Sequence, residues 1–238
     1  MTETGEDAAH RGETVVVLHG LATPHFQMGP VRRALARAGY RVVYVRYPSR
    51  RHGIEQIASS YIAPQVNEAA GVSRKPVHFV AYSMGGVVLR QYLARDRPDG
   101  LRPGNLVFIA CPHHGTEIVE GLRRWRILSW YYGPAYFQLG TGRGNITATL
   151  PAKPPGRSLC IYGNRSINPL GSYLFKRPHD GTVPAERARL EGAETLELQA
   201  THPGILYRRE TLRAMLRFLA DGTLTGGPGA TLGSTRSP

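Results

Sequence analysis

The chain has 238 residues, of which 41% are hydrophobic, a length and composition that suit one α/β domain with a full-sized core. No stretch reaches the roughly 18 apolar residues of a membrane span, and the first residues are polar and acidic, so we expect neither a membrane helix nor a secretion signal. Two cysteines are too few for a disulfide framework. We therefore expect a cytoplasmic location.

The charge balance is strongly basic, with 30 Lys and Arg against 17 Asp and Glu and a net charge of +13. The arginines are scattered, and the longest basic clusters are pairs such as Arg50-Arg51. A general arginine bias explains this pattern better than a binding patch, although peripheral contact with an anionic membrane is an open expectation. With no nucleic-acid motif present, we expect no nucleic-acid partner. The sequence carries no signal for an oligomeric state.

Short apolar runs alternate with helical patterns along most of the chain. Runs typical of buried strands predict six strands, at 14–18, 41–45, 76–81, 105–110, 158–162 and 195–198. Helices are predicted between them, at 29–38, 54–69, 84–94 and, last, 208–220. This alternation predicts an α/β fold with a doubly wound, mostly parallel sheet of about six strands, whose functional residues follow the carboxyl ends of the strands.

Residues 116–155 break the alternation with a stretch rich in aromatic residues between glycines and prolines. We predict a small cap insertion that lines an apolar acyl pocket, although rings that simply roof the core would produce the same pattern. Its candidate substrate contacts are Trp125, Trp130, Tyr136 and Phe137. The flanking compositions predict disordered tails at 1–13 and 221–238, around a domain at 14–220.

Ser83 lies between the third predicted strand and the helix that follows, in the stretch Ala81-Tyr82-Ser83-Met84-Gly85. A sharp strand-to-helix turn of this kind is a nucleophile elbow, which exposes the serine hydroxyl and requires small residues two before and two after it. Ala81 and Gly85 meet that requirement. A simple helix N-cap is the alternative interpretation of the serine, but the placement between a strand and a helix favours a nucleophile.

The A-x-S-x-G stretch is similar to that of small Bacillus-type lipases, and the order of elements from Thr14 to Ala220 resembles a bacterial lipase or esterase of the α/β-hydrolase superfamily. The resemblance implies the chain order serine, acid, histidine. Asp180 is the only aspartate between the fifth predicted strand and the tail, and His202 is the only histidine after it. Glutamates 186, 191, 194 and 197 are the alternative acids. The sheet begins two strands later than in the full eight-stranded form.

The same resemblance supplies the remaining candidates. Acyl transfer needs donors for an oxyanion, and these are the N–H groups of Met84, after the nucleophile, and of Leu21, in a His19-Gly20-Leu21 stretch similar to the H-G-x motif of lipases. Tyr82 and His113 are further candidate substrate contacts. His113 belongs to a Pro112–Thr116 stretch similar to the P-H-x-G-[ST] of bacterial lipases. The His113-His114 pair leaves a zinc or calcium site open, but we predict no metal.

These observations predict a serine hydrolase that cleaves carboxylic esters of medium to long acyl chains through an acyl-enzyme, with no cofactor. Its expected partner is a small-molecule or lipid ester substrate. A thioesterase or an acyltransferase would use the same three residues. A non-catalytic α/β-hydrolase that binds a ligand is the alternative of another class.

Overall fold

The computed structural model describes residues 12–71, 75–123, 131–142 and 145–224, without the side chains of 122 and 123. Its centre is a six-stranded sheet in the order β2-β1-β3-β4-β5-β6, in which every neighbouring pair is parallel. The strands are β1 (Thr14–Leu18), β2 (Arg41–Tyr44), β3 (Val77–Tyr82), β4 (Pro103–Ile109), β5 (Ser158–Gly163) and β6 (Glu194–Leu198). The predicted α/β fold is confirmed, and the sheet is entirely parallel.

Helices connect the strands and cover both faces of the sheet. They are α1 (Gly29–Arg37), α2 (Ile54–Ile57), α3 (Ala63–Gly71), α4 (Met84–Gln91), α5 (Glu117–Arg123), α6 (Pro134–Phe137), α7 (Pro169–Phe175) and α8 (Arg209–Asp221). A π-helical segment, Ala58–Ile62, joins α2 to α3, and another, Tyr92–Asp96, extends α4. Short 3-10 helices lie at His25–Met28, Ile146–Thr149, Ala185–Ala188 and Gly204–Tyr207.

The core has two halves because successive residues of a strand point to opposite faces of a sheet. Val16, Phe79 and Phe108 pack on one face, against α2, α3 and α4. Val17 and Val80 pack on the other face, against α1 and α8. Burial on both faces is the reason why these strands are continuous apolar runs in the sequence.

The structure describes only parts of the predicted tails and cap. Asp221 closes α8, Gly222 caps it with a φ of 71°, and the N–H of Leu224 donates to Glu194 Oε2 at 2.8 Å. Residues 1–11 and 225–238 lie outside the described residues, as do Trp125 and Trp130 of the cap. Within the described ranges, no helix combines the length and apolar composition needed to cross a bilayer.

Candidate active site

Ser83 occupies a tight turn between β3 and α4. Its φ is 53° and its ψ is −128°, a backbone conformation that residues other than glycine adopt rarely and that costs about 1–3 kcal/mol. The Ser83 N–H donates to the Ile109 carbonyl at 2.9 Å, and the Ser83 carbonyl accepts from the Gly86 N–H at 3.0 Å. These bonds hold the strained turn between two strand ends and the first turn of a helix.

The turn is packed so closely that two of its glycines have no room for a side chain. A Cβ added at Gly85 would lie 2.5 Å from the His19 carbonyl oxygen, and one at Gly86 would lie 2.4 Å from Cys111 Sγ. From the β1 side, a Cβ at Gly20 would lie 2.9 Å from Ser83 Cβ. The loop after β1 therefore lies directly against the serine.

His202 and Asp180 reach this serine from the loops after β6 and β5. His202 Nε2 lies 3.0 Å from Ser83 Oγ, and His202 Nδ1 lies 2.7 Å from Asp180 Oδ2. A carboxylate only accepts hydrogen bonds, so Nδ1 carries the proton and Nε2 is left to accept from the serine hydroxyl. The three side chains form one continuous hydrogen-bonded chain, with Asp180 almost fully buried.

Asp180 is oriented by its own loop. Its Oδ1 accepts from the N–H groups of Thr182 at 2.9 Å and Val183 at 2.8 Å, and its carbonyl accepts from the His202 N–H at 2.8 Å. Both the backbone and the side chain of Asp180 bind His202, so two hydrogen bonds fix the distance between the loop after β5 and the loop after β6. Of the alternative acids, Glu197 instead pairs with Arg189 at 3.7 Å and accepts from an amide at 2.7 Å.

The two residues predicted to bind an oxyanion, Met84 and Leu21, lie on elements that contact the serine turn. Met84 is the first residue of α4, and the first N–H groups of a helix have no acceptor within it, while the helix dipole adds partial positive charge there. Leu21 lies in the turn between Gly20 and Thr23, and its N–H donates to no acceptor in the described part of the chain. Met84 begins α4 and Leu21 lies in the loop after β1, and the close packing at Gly20 and Gly85 brings this helix and this loop together.

His19 braces the loop that carries Leu21. Its Nδ1 hydrogen-bonds the Gly20 carbonyl at 2.8 Å, and its ring stacks on Tyr47 with 4.0 Å between ring centres. The Tyr47 hydroxyl donates to the His19 carbonyl. Burial lowers the pKa of His19, so the ring is neutral near pH 7 and acts as a packing element.

The described residues expected to contact substrate lie inside the protein instead. The Tyr82 hydroxyl donates to the His202 carbonyl at 3.1 Å, so this side chain supports the histidine loop. His113 is 0% exposed, and its ring meets Phe108 edge-on. Both side chains are buried, so neither forms part of a surface that a substrate reaches.

The two cap residues within the described ranges are also packed inward. The Tyr136 hydroxyl donates to the Ile118 carbonyl at 3.4 Å, and the Tyr136 ring stacks on Tyr132 at 4.7 Å. Phe137 is half-buried with its edge against Tyr136. These rings roof the core, which was the second interpretation of the aromatic stretch.

The adjacent histidines after β4 do not face a common point. Burial lowers the pKa of His113 well below its ordinary value, while His114 is directed to the surface and its Nε2 donates to the Arg189 carbonyl at 3.1 Å. Among the described residues, no three His, Cys, Asp or Glu side chains gather into a group that could hold a metal ion.

A cleft of about 700 Å³ opens beside the loop after β1, and sequence reasoning did not predict it. His19, Ala22 and Thr23 form its near side. Most of the rest comes from the segment after β2, with Tyr131 contributed by the insertion. The charged and aromatic residues of this lining, beyond His19, are His25, Tyr44, Arg46, Tyr47, Arg50, Arg51 and Tyr131. The Arg50-Arg51 pair was the only sequence signal for it.

Solved structures of several lipases share this fold. The mature lipase BlEst2 of Bacillus licheniformis superposes with a TM-score of 0.71 and 20% identity, over 89% of this chain and 94% of that one. The phospholipase PlaB of Legionella pneumophila gives 0.67 and 16%, over 87% of this chain and 59% of that one. A monoacylglycerol lipase of Paleococcus ferrophilus gives 0.61 and 16%, over 90% and 97%.

The sequence comparisons identify the family. A search of proteins with curated functions finds no significant match. The profile of the alpha/beta hydrolase family matches residues 15–226, which include all six strands apart from Thr14, as well as the serine, aspartate and histidine described above. The chain therefore belongs to the alpha/beta hydrolase family.

Proposed function

We propose that this protein is a serine hydrolase that cleaves carboxylic esters through an acyl-enzyme formed on Ser83. The observation that carries the proposal is the continuous chain from Ser83 Oγ to His202 Nε2, at 3.0 Å, and from His202 Nδ1 to Asp180 Oδ2, at 2.7 Å. A nucleophile joined to a base that is itself oriented by a carboxylate is the arrangement that acyl transfer requires. The resemblance of the fold to that of lipases supports the same reaction class.

In the proposed acylation step, His202 Nε2 takes the hydroxyl proton of Ser83 while Oγ attacks the ester carbonyl carbon. The carbonyl oxygen becomes an oxyanion, which the N–H groups of Met84 and Leu21 stabilise by roughly 3 kcal/mol each. The imidazolium of His202 then gives its proton to the departing alcohol. Asp180 stays ionised throughout and stabilises the imidazolium.

Deacylation repeats these transfers with water in place of the serine. His202 takes a proton from water, the hydroxide attacks the acyl carbon, and Ser83 leaves with the proton that His202 returns. A thiol ester would pass through the same steps. An alcohol in place of water would give acyl transfer instead, and both alternatives stay open.

The acyl preference is a further part of the proposal. We assign the protein medium to long acyl chains because the insertion is rich in aromatic residues and because relatives in fold are lipases. Tyr131 supports this assignment, since it lies on the wall of the cleft beside the nucleophile turn. A ligand-binding protein without activity is disfavoured, because such a protein has no need of a serine, a histidine and an aspartate held at hydrogen-bonding distances.

Peripheral contact with an anionic membrane is also proposed. Ile167 and Tyr173 are 81% and 77% exposed, and Leu170 lies between them on α7. This apolar surface precedes the loop of Asp180, so it borders the active-site edge of the sheet. The basic charge of the chain favours an anionic bilayer over a neutral one.

The test is hydrolysis of p-nitrophenyl esters from acetate to palmitate by the wild type, by Ser83→Ala and by Ser59→Ala. Ser59 is an exposed serine on the π-helical segment after α2, so it is the matched control. We expect turnover by the wild type and Ser59→Ala, none above background by Ser83→Ala, and an optimum above four carbons. No turnover by a folded wild type, or full activity in Ser83→Ala, would overturn the proposal.

A further inference from the structure

Three arginines line the cleft without a counter-charge. Arg46, Arg50 and Arg51 form no ion pair with a carboxylate in the described ranges, and no Asp or Glu of those ranges lines the cleft. Elsewhere the structure does pair its arginines, since Glu117 binds both Arg177 and Arg187. The cleft therefore concentrates positive charge that nothing in the described protein neutralises.

The pairing at Glu117 shows what an arginine pair does to an acid. Burial alone would raise the pKa of Glu117, but hydrogen bonds from Arg187 and Arg177 outweigh burial and lower that pKa below its ordinary value of 4.5. Two guanidinium groups thus favour a negative charge even in a partly buried place. Three guanidinium groups, those of Arg46, Arg50 and Arg51, line the cleft, which is open to solvent.

The insertion holds the arginine segment in place. Gly133 has a φ of 75°, and a Cβ there would lie 1.8 Å from the Arg50 carbonyl oxygen, so the two backbones are in direct contact. Gln138 Oε1 accepts from the Ile54 N–H at 2.6 Å. The Arg50 guanidinium lies over the Tyr131 ring, 5.0 Å from its centre. The Arg50 backbone is therefore held by the insertion, and its exposed side chain lies over an aromatic ring.

On its other side the arginine segment is joined to the nucleophile turn. Ser49, next to Arg50, accepts from the Ala22 N–H through its Oγ at 3.0 Å. Ala22 belongs to the loop after β1 whose Gly20 lies against Ser83. The loop after β1 therefore connects the two places: its Ala22 and Thr23 line the cleft, and its Gly20 lies against Ser83, which does not itself line the cleft.

We infer that the cleft binds an anionic phosphate carried by the ester that Ser83 cleaves. This rests on the proposed function. Guanidinium groups match phosphate in charge and in paired donor geometry, and a neutral ester would leave all three unused. A volume of about 700 Å³ holds a glycerol phosphate together with the start of an acyl chain. The phosphate belongs either to a lipid headgroup or to a water-soluble ester, which share this chemistry.

The first test compares esters that differ by one phosphate. Release of fatty acid is measured from 1-oleoylglycerol and 1-oleoylglycerol 3-phosphate in mixed micelles, and from 1-butyrylglycerol and 1-butyrylglycerol 3-phosphate in solution. We expect a higher kcat/KM for the phosphorylated member of at least one pair. A preference within the oleoyl pair alone identifies a lipid headgroup, and one within the butyryl pair alone identifies a soluble ester. No preference in either pair would overturn the inference.

The second test removes the charge. In the triple variant Arg46→Gln, Arg50→Gln, Arg51→Gln, the ratio of kcat/KM for the phosphorylated ester to kcat/KM for the neutral ester should fall by roughly tenfold or more, because three exposed ion pairs contribute modestly each. The matched control has the same net charge, with Arg33, Arg37 and Arg209, which do not line the cleft, changed to Gln. An equal loss in the control would mean that overall charge, not the cleft, attracts the substrate.

A binding measurement separates this inference from the proposed function. Calorimetry with glycerol 3-phosphate on the folded Ser83→Ala protein should show binding that weakens with salt and disappears in the cleft variant but not in its control. If no ester is hydrolysed yet this binding is seen, the proposed function fails and the anion cleft stands. If esters are hydrolysed but glycerol 3-phosphate does not bind through these arginines, the cleft assignment fails alone.

Discussion

Replacing Asp180 with Asn tests the proposed chemistry sharply, because the structure dictates how the new amide must lie. The Asp180 oxygen that accepts from Thr182 and Val183 at 2.9 and 2.8 Å is held by two N–H donors. An NH₂ group in that place would set donors against donors at a buried position, at about 1–3 kcal/mol for each lost bond. The amide oxygen therefore stays there, and the NH₂ group faces His202 Nδ1.

That orientation reverses the tautomer of His202. Nδ1 must now accept from the amide, so the proton moves to Nε2, which can no longer take the proton of Ser83. The same change in a serine protease lowers kcat by about 10⁴ with little change in geometry. We expect kcat of Asp180→Asn to fall by roughly 10³ to 10⁴, which is about 4 to 5.5 kcal/mol of transition-state stabilisation.

The assay is steady-state hydrolysis of p-nitrophenyl butyrate, with circular dichroism and Tm to verify folding. Asp221→Asn is the matched control, since Asp221 is a half-exposed carboxylate at the end of α8 that pairs with Arg217 at 3.8 Å. KM should change little, because the tautomer affects the transition state more than the bound substrate. A folded Asp180→Asn protein within tenfold of wild-type kcat would refute the reasoning and return the role of acid to a glutamate.

Three other changes should have distinct effects. Gly85→Ala forces a Cβ against a backbone carbonyl of the β1 loop, so we expect about 3 kcal/mol of destabilisation and a Tm lower by roughly 6–12 °C, whereas Gly100→Ala, which has open space, should leave the Tm unchanged. Glu117→Gln should lower the Tm at neutral pH because it removes the carboxylate that binds two arginines. Since the pKa of Glu117 is lowered in the folded protein, the Tm difference between the variant and the wild type should shrink as the pH falls below about 4.5. A Tm difference that does not change with pH would contradict the ion-pair account. The double change Ile167→Ser, Tyr173→Ser should reduce cosedimentation with anionic vesicles by roughly tenfold while leaving hydrolysis of soluble esters intact, and unchanged vesicle binding would remove this surface as the membrane contact.

The central strands were predictable because they are buried on both faces, which leaves a continuous apolar run such as Thr14–Leu18 in the sequence, whereas the edge strands β2 and β6 are partly exposed. The helix α7, Pro169–Phe175, was not predicted, because its outward positions include Leu170 and Tyr173 and so blur the polar face that marks a surface helix. The π-helical segments also carry no signal in the spacing of apolar residues.

The proximity of Ser83, Asp180 and His202 has a topological reason. In a parallel sheet all strands end at the same edge, so residues that follow β3, β5 and β6 are neighbours however far apart they are in the chain. Strand topology does not predict whether an individual side chain in these loops is buried. His113 lies in a polar stretch but becomes fully enclosed, since α4 and the segment near Pro151 close over it through Arg90.

The cleft escaped prediction because three separate segments build it. The loop after β1, the segment after β2 and the part of the insertion just before α6 meet there, and their relative positions depend on contacts such as Gly133 against Arg50. No local sequence pattern predicts that these three segments come together. The sequence shows that Arg50 and Arg51 are a pair of positive charges, but it does not show that they line a cavity.

The loop that carries Asp180 is held together largely by its own atoms. His179 and Pro184 form an antiparallel bridge, the Asp180 N–H donates to the Val183 carbonyl at 3.2 Å, and two N–H groups within the same turn hold the carboxylate. Geometry specified within six residues does not depend on the length of the chain that leads to it. The connection between β5 and this turn contacts it through the Asn168 amide, which donates to the Gly181 carbonyl at 2.8 Å, and through Gly171, which packs against the same carbonyl. A different surface helix grafted there must keep these contacts if the acid is to stay in place.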